Sequence, residues 1–307
     1  MTKVLIATEK PFAAEAVTGI TSIVENAGFE CVKLESYSCK SELISAVADV
    51  DAIIIRSDKI DKEVIDAAPN LKIVVRAGAG YDNVDLEAAS AKGVCVMNTP
   101  GQNANAVAEL VFGMAVFMAR GAFSGKAGTE LKGKKIGIHA FGNIGKIVAS
   151  IAKGFGMEVY AYDPFVSHDV IEKEGVISVA TIEELYSTCQ YVSLHIPATE
   201  KTKNSINKEL LSNMPKGAVL INTARKEVIN EASLVELMSE RADFVYISDI
   251  APSNKDEFVS KFEGRVFFTP KKLGAQTSEA NINAGLAAAN QIVGFISNGD
   301  NTFQVNK

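Results

Sequence analysis

The chain has 307 residues, 47% hydrophobic and 22% charged, which is enough for two domains with a large buried core and excludes a disordered chain. The net charge of −6 excludes nonspecific binding to nucleic acid or to an anionic membrane surface, so an anionic substrate needs a local basic pocket. Cys31, Cys39, Cys95 and Cys189 show no CxxC spacing, which argues against a metal centre and predicts reduced thiols in the cytoplasm.

The first residues enter a strand directly, so no signal peptide is expected. Residues 4–7, 31–34, 52–55 and 73–75 read as strands. Helical patterns at 13–26, 43–48, 62–67 and 86–91 lie between or after them. Such alternation predicts a mostly parallel sheet with helices on both faces, with ligands bound beyond the carboxyl ends of its strands. Two strands run into arginines there: residues 52–55 into Arg56-Ser57, and residues 73–75 into Arg76-Ala77-Gly78-Ala79-Gly80. Two guanidinium groups and a loop with open N–H groups make an anion site. Asn98-Thr99-Pro100-Gly101 is a turn signal and the predicted first crossing between domains. Residues 103–120 read as a helix apolar on too many sides for a surface element, which suits a central helix that also meets a second subunit. Its apolar run, 110–119, is too short to span a bilayer.

Residues 135–145 read KIGIHAFGNIG: a short buried strand, then the turn Gly142-Asn143-Ile144-Gly145, then a helix over 146–155. This is the first half of a dinucleotide-binding unit, in which backbone N–H groups and a helix N-terminus meet a pyrophosphate. The next strand, 157–162, ends at Asp163, an acid able to hold ribose hydroxyls and to repel a 2′-phosphate; this predicts NAD. Ala140 stands where the fingerprint has its first glycine, and one added methyl is expected to be tolerated. A helix at 183–187 and strands at 191–194, 219–221, 244–247 and 266–268 follow, the strands ending in His195-Ile196-Pro197, Asn222-Thr223-Ala224-Arg225, Asp249 and Thr269-Pro270-Lys271-Lys272. Residues 281–297 form a last long helix. The expected fold is α/β, with two Rossmann-like, doubly wound parallel-sheet domains: 1–98 plus 280–307, and 99–279.

Taken in order, these strand ends resemble the D-2-hydroxyacid dehydrogenase family over nearly the whole chain. The stretches that carry the likeness are Arg56-Ser57, RAGAGYDNVDL from Arg76, NTPGQNANAVAEL from Asn98 and the Gly-rich turn with Asp163. HIPATEKTKNSI from His195, INTARKEVIN from Ile221, Asp249 and TPKKLGAQTSEAN from Thr269 complete it. The resemblance implies a flavodoxin-like substrate-binding domain, an inserted NAD-binding Rossmann domain, and an active site in the cleft between them. It implies a homodimer through helix 103–120. Arg225 matches the substrate-binding arginine. Arg56, Ser57, Arg76, Gly78, Ala79 and Asn103 match the substrate pocket or its cofactor edge. Gly142, Asn143, Ile144, Gly145, Asp163, Pro164, His195, Ile196, Pro197, Thr202, Thr223, Ala224, Arg225, Asp249, Gly274 and Ala275 match cofactor contacts. The implied substrate is a small anionic 2-hydroxy acid, 3-phosphoglycerate first. Glyoxylate or hydroxypyruvate reduction, or a non-catalytic NAD(H)-sensing role, are the alternatives.

One departure bears on the chemistry. The family's acid–base histidine follows Thr-Pro, and here Lys271 and Lys272 stand there, with Lys272 in register and Lys271 the alternative. The family's paired glutamate falls on Asn254; Asp256 and Glu257 are the carboxylates nearby, and Glu257 is expected to reach the site if the loop is rearranged. A lysine with its ordinary pKa of ~10.4 is protonated at neutral pH. Burial beside Arg225 is expected to lower that value by ~2–3 units and make Lys272 a usable base. The chain ends soon after its last helix, so the regulatory domain of many relatives, and inhibition by serine, are not expected.

Overall fold

The computed structural model describes residues 1–307, which divide into two compact units: Met1–Asn103 with Gln276–Lys307, and Ala104–Ala275. The first unit contains β1 (Lys3–Thr8), α1 (Ala14–Asn26), β2 (Glu30–Glu35), α2 (Lys40–Ala46), β3 (Ala52–Ile55), α3 (Lys62–Asp66), β4 (Ile73–Arg76), α4 (Leu86–Ala91) and β5 (Cys95–Asn98). The second runs through α5 (Ala104–Ala119), β6 (Lys135–His139), α6 (Asn143–Gly154), β7 (Glu158–Tyr162), α7 (His168–Lys173), β8 (Ile177–Ser178) and α8 (Ile182–Thr188). It continues with β9 (Tyr191–Leu194), α9 (Lys208–Ser212), β10 (Val219–Asn222), α10 (Glu231–Glu240), β11 (Val245–Ser248), α11 (Lys255–Lys261) and β12 (Val266–Phe268). The chain returns to the first unit as α12 (Ser278–Asn298).

The first sheet has the order β2-β1-β3-β4-β5, all parallel. Its central strands are apolar throughout because both faces are covered. In β1, Val4 and Ile6 pack with α1 and α12, while Leu5 and Ala7 pack against the face that carries Leu43, Val64 and Ala89. The order reverses between β1 and β3, so ligands are expected beyond those two strand ends. Arg56 follows β3 directly.

The second sheet has the order β12-β11-β10-β9-β6-β7-β8, also all parallel. Ile136, Ile138, Val159, Ile221 and Ile247 pack with α5 and α6 on one face, and Val192, Leu194, Leu220 and Tyr246 with Leu185, Leu210, Leu234 and Phe258 on the other. Its order reverses between β6 and β9, whose ends carry His139 with the Gly-rich turn, and His195. Side chains accept a first-turn N–H where α3, α4, α8, α9, α10 and α12 begin, at Asp61, Asp85, Thr181, Asn207, Asn230 and Thr277. No helix is long and apolar enough to cross a membrane.

Strand β5 was not expected, and residues 143–145, read as turn, are the first turn of α6. The second difference matters chemically, because first-turn N–H groups have no intrahelical acceptor.

Candidate functional site

The Gly-rich turn is built for close approach of a ligand. Gly142 is the N-cap of α6, and no side chain caps that helix. A Cβ placed on Gly142 meets nothing within 4 Å, so the space over the turn is open. At Gly145 the same atom would lie 2.4 Å from the carbonyl oxygen of Ala140, so only glycine lets α6 pack this close to β6. Ala140 itself sits at φ 82, in the left-handed region. The methyl expected to be tolerated is therefore held under strain.

Asp163, at the end of β7, ties this turn to its own. Its Oδ2 accepts from the Phe141 N–H at 2.8 Å and its Oδ1 from the Phe165 N–H at 2.8 Å. A carboxylate has about four acceptor positions, so each oxygen keeps capacity for a hydroxyl. An uncapped helix N-terminus, an open turn at Gly142 and a pre-positioned carboxylate fit a dinucleotide. Asn143, Ile144 and Gly145 supply the first-turn N–H groups, and Pro164 follows Asp163 in an exposed position.

The other strand ends differ in how much they leave open. His195 bonds Ser193 Oγ through Nε2 at 2.9 Å, and its Nδ1 is buried without a partner. Burial, then repulsion from His139, pushes its pKa down to about 3. His139 is pushed down to about 4 by burial, and its Nδ1 lies 3.2 Å from Tyr186 Oη. Both rings are neutral at physiological pH, and neither is tuned as a general base for that range. Ile196 is buried and Pro197 exposed; the Pro197 carbonyl accepts from Thr202 Oγ1 at 2.6 Å, so Thr202 shapes the loop after β9. Thr223 Oγ1 is a second buried atom without a partner. Asn222, absent from the candidate residues, forms the following turn: its Oδ1 accepts from the Ala224 N–H at 2.9 Å and its Nδ2 donates to the Arg225 carbonyl at 3.0 Å. Ala224 is buried and Arg225 half-buried, with its Nη1 donating to the Ala224 carbonyl at 2.9 Å.

Asp249 is 1% exposed and holds the loop that carries the lysines. Its Oδ1 accepts from Leu273 N–H at 2.7 Å and Thr269 Oγ1 at 2.9 Å, and its Oδ2 from Gly274 N–H at 2.8 Å. The structure thus engages this carboxylate with its own loop, where the resemblance implied a cofactor contact. Gly274 is buried and Ala275 half-buried. Lys271 and Lys272 are both exposed, so the burial expected to lower the Lys272 pKa is not present. Glu257 lies on α11 and accepts from Asn254 Nδ2 and Lys261 Nζ, each at 2.8 Å. Lys261, then Asn254, holds its carboxyl below the usual range. These bonds tie Glu257 to its own helix.

In the first unit, Arg56 is half-buried and three of its donors are engaged locally. Nη1 donates to the Lys10 and Pro11 carbonyls at 3.0 and 2.9 Å, Nη2 to Asn281 Oδ1 at 2.7 Å, and the group lies 5.2 Å from the Phe12 ring centroid. Arg76 Nε donates to the Arg56 carbonyl at 2.9 Å. Its guanidinium lies against Gly78, where a Cβ would sit 1.6 Å from Nη1. Ser57 and Ala79 are exposed, and Asn103 is half-buried just before α5. The sequence reading missed Asp58, which is buried and accepts from Glu9 N–H, Tyr37 Oη and Arg56 N–H at 2.6, 2.8 and 3.0 Å. Its neighbours Ser57 and Lys59 read as surface, and its partners lie up to 49 residues away, so no local pattern marks it.

Residues 105–270 match the family model described as "D-isomer specific 2-hydroxyacid dehydrogenase, NAD binding domain". The D-3-phosphoglycerate dehydrogenase of Methanocaldococcus jannaschii is 36% identical over 270 residues, covering 82% of this chain and 51% of that protein. The hydroxypyruvate reductase of Thermotoga maritima is 36% identical over 272 residues, 82% of this chain and 87% of that one. A crystal structure of NAD+-bound 3-phosphoglycerate dehydrogenase from Entamoeba histolytica matches with a TM-score of 0.87 and 50% identity, covering 100% of this chain and 99% of that one. The chain spans about half the length of the Methanocaldococcus relative.

Proposed function

The chain belongs to the D-isomer specific 2-hydroxyacid dehydrogenase family, and from that premise we propose that it oxidises 3-phospho-D-glycerate to 3-phosphohydroxypyruvate, the reaction that opens L-serine biosynthesis. The observation that carries this reading is the loop pinned on Asp249, which fixes the backbone directly after Lys272. Support for the substrate comes from the whole-length likeness to a 3-phosphoglycerate dehydrogenase at 50% identity.

Bound NAD supplies the hydride acceptor. Arg225 holds the substrate carboxylate, because a guanidinium stays charged and can meet both oxygens in parallel. Lys272 Nζ accepts the proton of the C2 hydroxyl as hydride leaves C2; in the reverse direction its ammonium returns that proton to the ketone oxygen. Two features support a homodimer in the cytoplasm: the largely apolar α5 and four unpaired thiols.

Hydroxypyruvate reduction is the second reading. It is favoured by the Thermotoga relative and by Arg56, whose bonds to Lys10, Pro11 and Asn281 leave fewer donors for a phosphate. The test is NADH formation from 3-phosphoglycerate at pH 7–9, and NADH consumption with phosphorylated and unphosphorylated hydroxypyruvate, for wild type and Lys272→Ala. We expect turnover with the phosphorylated pair, reduced about a hundredfold to ten-thousandfold in the variant while NAD still binds. Equal turnover in the variant removes Lys272 from the chemistry. Turnover with unphosphorylated acids alone establishes the second reading, and none in wild type leaves an NAD-binding sensor.

A further inference from the structure

Phe165 is 95% exposed, the most exposed large hydrophobic side chain in the protein. A solvated phenyl ring forgoes burial, so one held this far out beside the dinucleotide turn suits a flat apolar cover. Its position says what the cover is. The Phe165 N–H is bonded to Asp163 Oδ1, and the other oxygen of that carboxylate is bonded to the Phe141 N–H of the Gly-rich turn. Phe165 therefore stands two residues beyond the group that would hold the ribose hydroxyls. Its neighbour Val166 is half-buried against the core, which anchors the turn.

We infer that Phe165 is the adenine platform of this chain: its ring stacks on the base of the cofactor once the adenosine ribose is held by Asp163. The inference rests on the NAD reading above and adds a specific residue to it. A purine offers a flat π-face, and a flat aromatic partner binds it without hydrogen-bond readout. The contact belongs to the adenosine half, so it serves NAD, ADP-ribose and AMP alike and does nothing for nicotinamide mononucleotide.

The chain has no tryptophan, so Phe165→Trp introduces a single indole whose emission reports its own surroundings. Calorimetric titrations of wild type, Phe165→Ala and Phe165→Trp with NAD, ADP-ribose and nicotinamide mononucleotide test the inference. We expect Phe165→Ala to weaken NAD and ADP-ribose by the same factor, about tenfold, and to leave the mononucleotide unchanged. Phe165→Trp should restore the affinity, with its indole emission quenched by ADP-ribose. Phe165 is exposed, so the variants are expected to fold, and far-ultraviolet circular dichroism checks this. NAD affinity within twofold of wild type in Phe165→Ala, with no indole quenching, overturns the platform and leaves the NAD reading standing. A change of molecular mass without a change of affinity also overturns it, since the ring is then covered by a second copy. Wild type that binds neither NAD nor ADP-ribose overturns both.

Discussion

The two units solve the same architectural problem and leave their switch points differently open to a ligand. Both are parallel sheets covered on both faces, and both bring polar groups to the ends of the strands where the order reverses. In the first unit Asp58 accepts three hydrogen bonds and Arg56 makes three to a loop and a helix, although Thr8 Oγ1 at the end of β1 is buried without a partner. In the second, α6 is uncapped, Gly142 faces open space, and His195 Nδ1 and Thr223 Oγ1 are buried without partners. Buried polar atoms without partners occur in both units, so it is the uncapped helix and the open turn at Gly142 that mark the second as a surface built for a ligand. The fold supplies a place for a site in both units; the free first-turn N–H groups of α6 and the open turn before it distinguish the second.

The largest effect expected of this contrast is on acid stability. All three histidines, His139, His168 and His195, lie in the second unit. Unfolded, His139 and His195 take protons near pH 6.5; folded, they resist until about 4 and about 3. Their folded values are depressed, so between about 6.5 and 4 the unfolded chain binds more protons and stability falls with pH. Their contribution is complete above about 6.5, and its loss reaches on the order of several kcal/mol at the acid end. Hydrogen exchange followed by mass spectrometry from pH 7 to 4 should show the second unit losing protection first. His139→Leu should flatten its slope by roughly half. Equal acid sensitivity in both units would break the comparison.

A smaller effect sharpens it from the other side. Arg56→Ala removes three hydrogen bonds and a contact with Phe12, and should cost about 2 kcal/mol by urea unfolding. If the arginine serves mainly as this clamp, KM for phosphorylated and unphosphorylated substrates rises by a similar factor. An unchanged stability with a KM increase confined to the phosphorylated substrate would mean that the clamp opens to bind phosphate.

Much of this was legible before the fold. The unbroken apolar runs within β1, β3 and β4 announce strands covered on both faces, and the spacing from the Gly-rich turn to Asp163 announces the dinucleotide unit. What was hidden depends on partners far apart in the chain. Asp58 is a hub only because Glu9 and Tyr37 come to it. Asp249 holds the lysine loop through bonds spanning 24 and 25 residues. The exposure of Lys272 and Phe165 is likewise a property of the folded surface, and no periodicity encodes it.

The smallest effect concerns Ala140, where the turn after β6 holds strain that the turn after β1 avoids. Residues 9–13, the turn after β1, contain no positive φ, whereas the turn after β6 holds Ala140 at φ 82. The conformation is imposed by its neighbours: the Ala140 N–H bonds the Tyr162 carbonyl at 2.9 Å, and Asp163 fixes Phe141 one residue on. An L-residue in this region costs roughly 1–2 kcal/mol, which glycine does not incur. Glycine in turn loses about 0.5–1 kcal/mol through the greater entropy of the unfolded chain. Ala140→Gly should therefore stabilise the protein by about 0.5–1 kcal/mol, small but measurable as a rise in urea midpoint at constant slope. A fall in midpoint would mean that the methyl makes packing contacts worth more than the strain, and that the turn after β6 is held by its side chains as well as by its backbone.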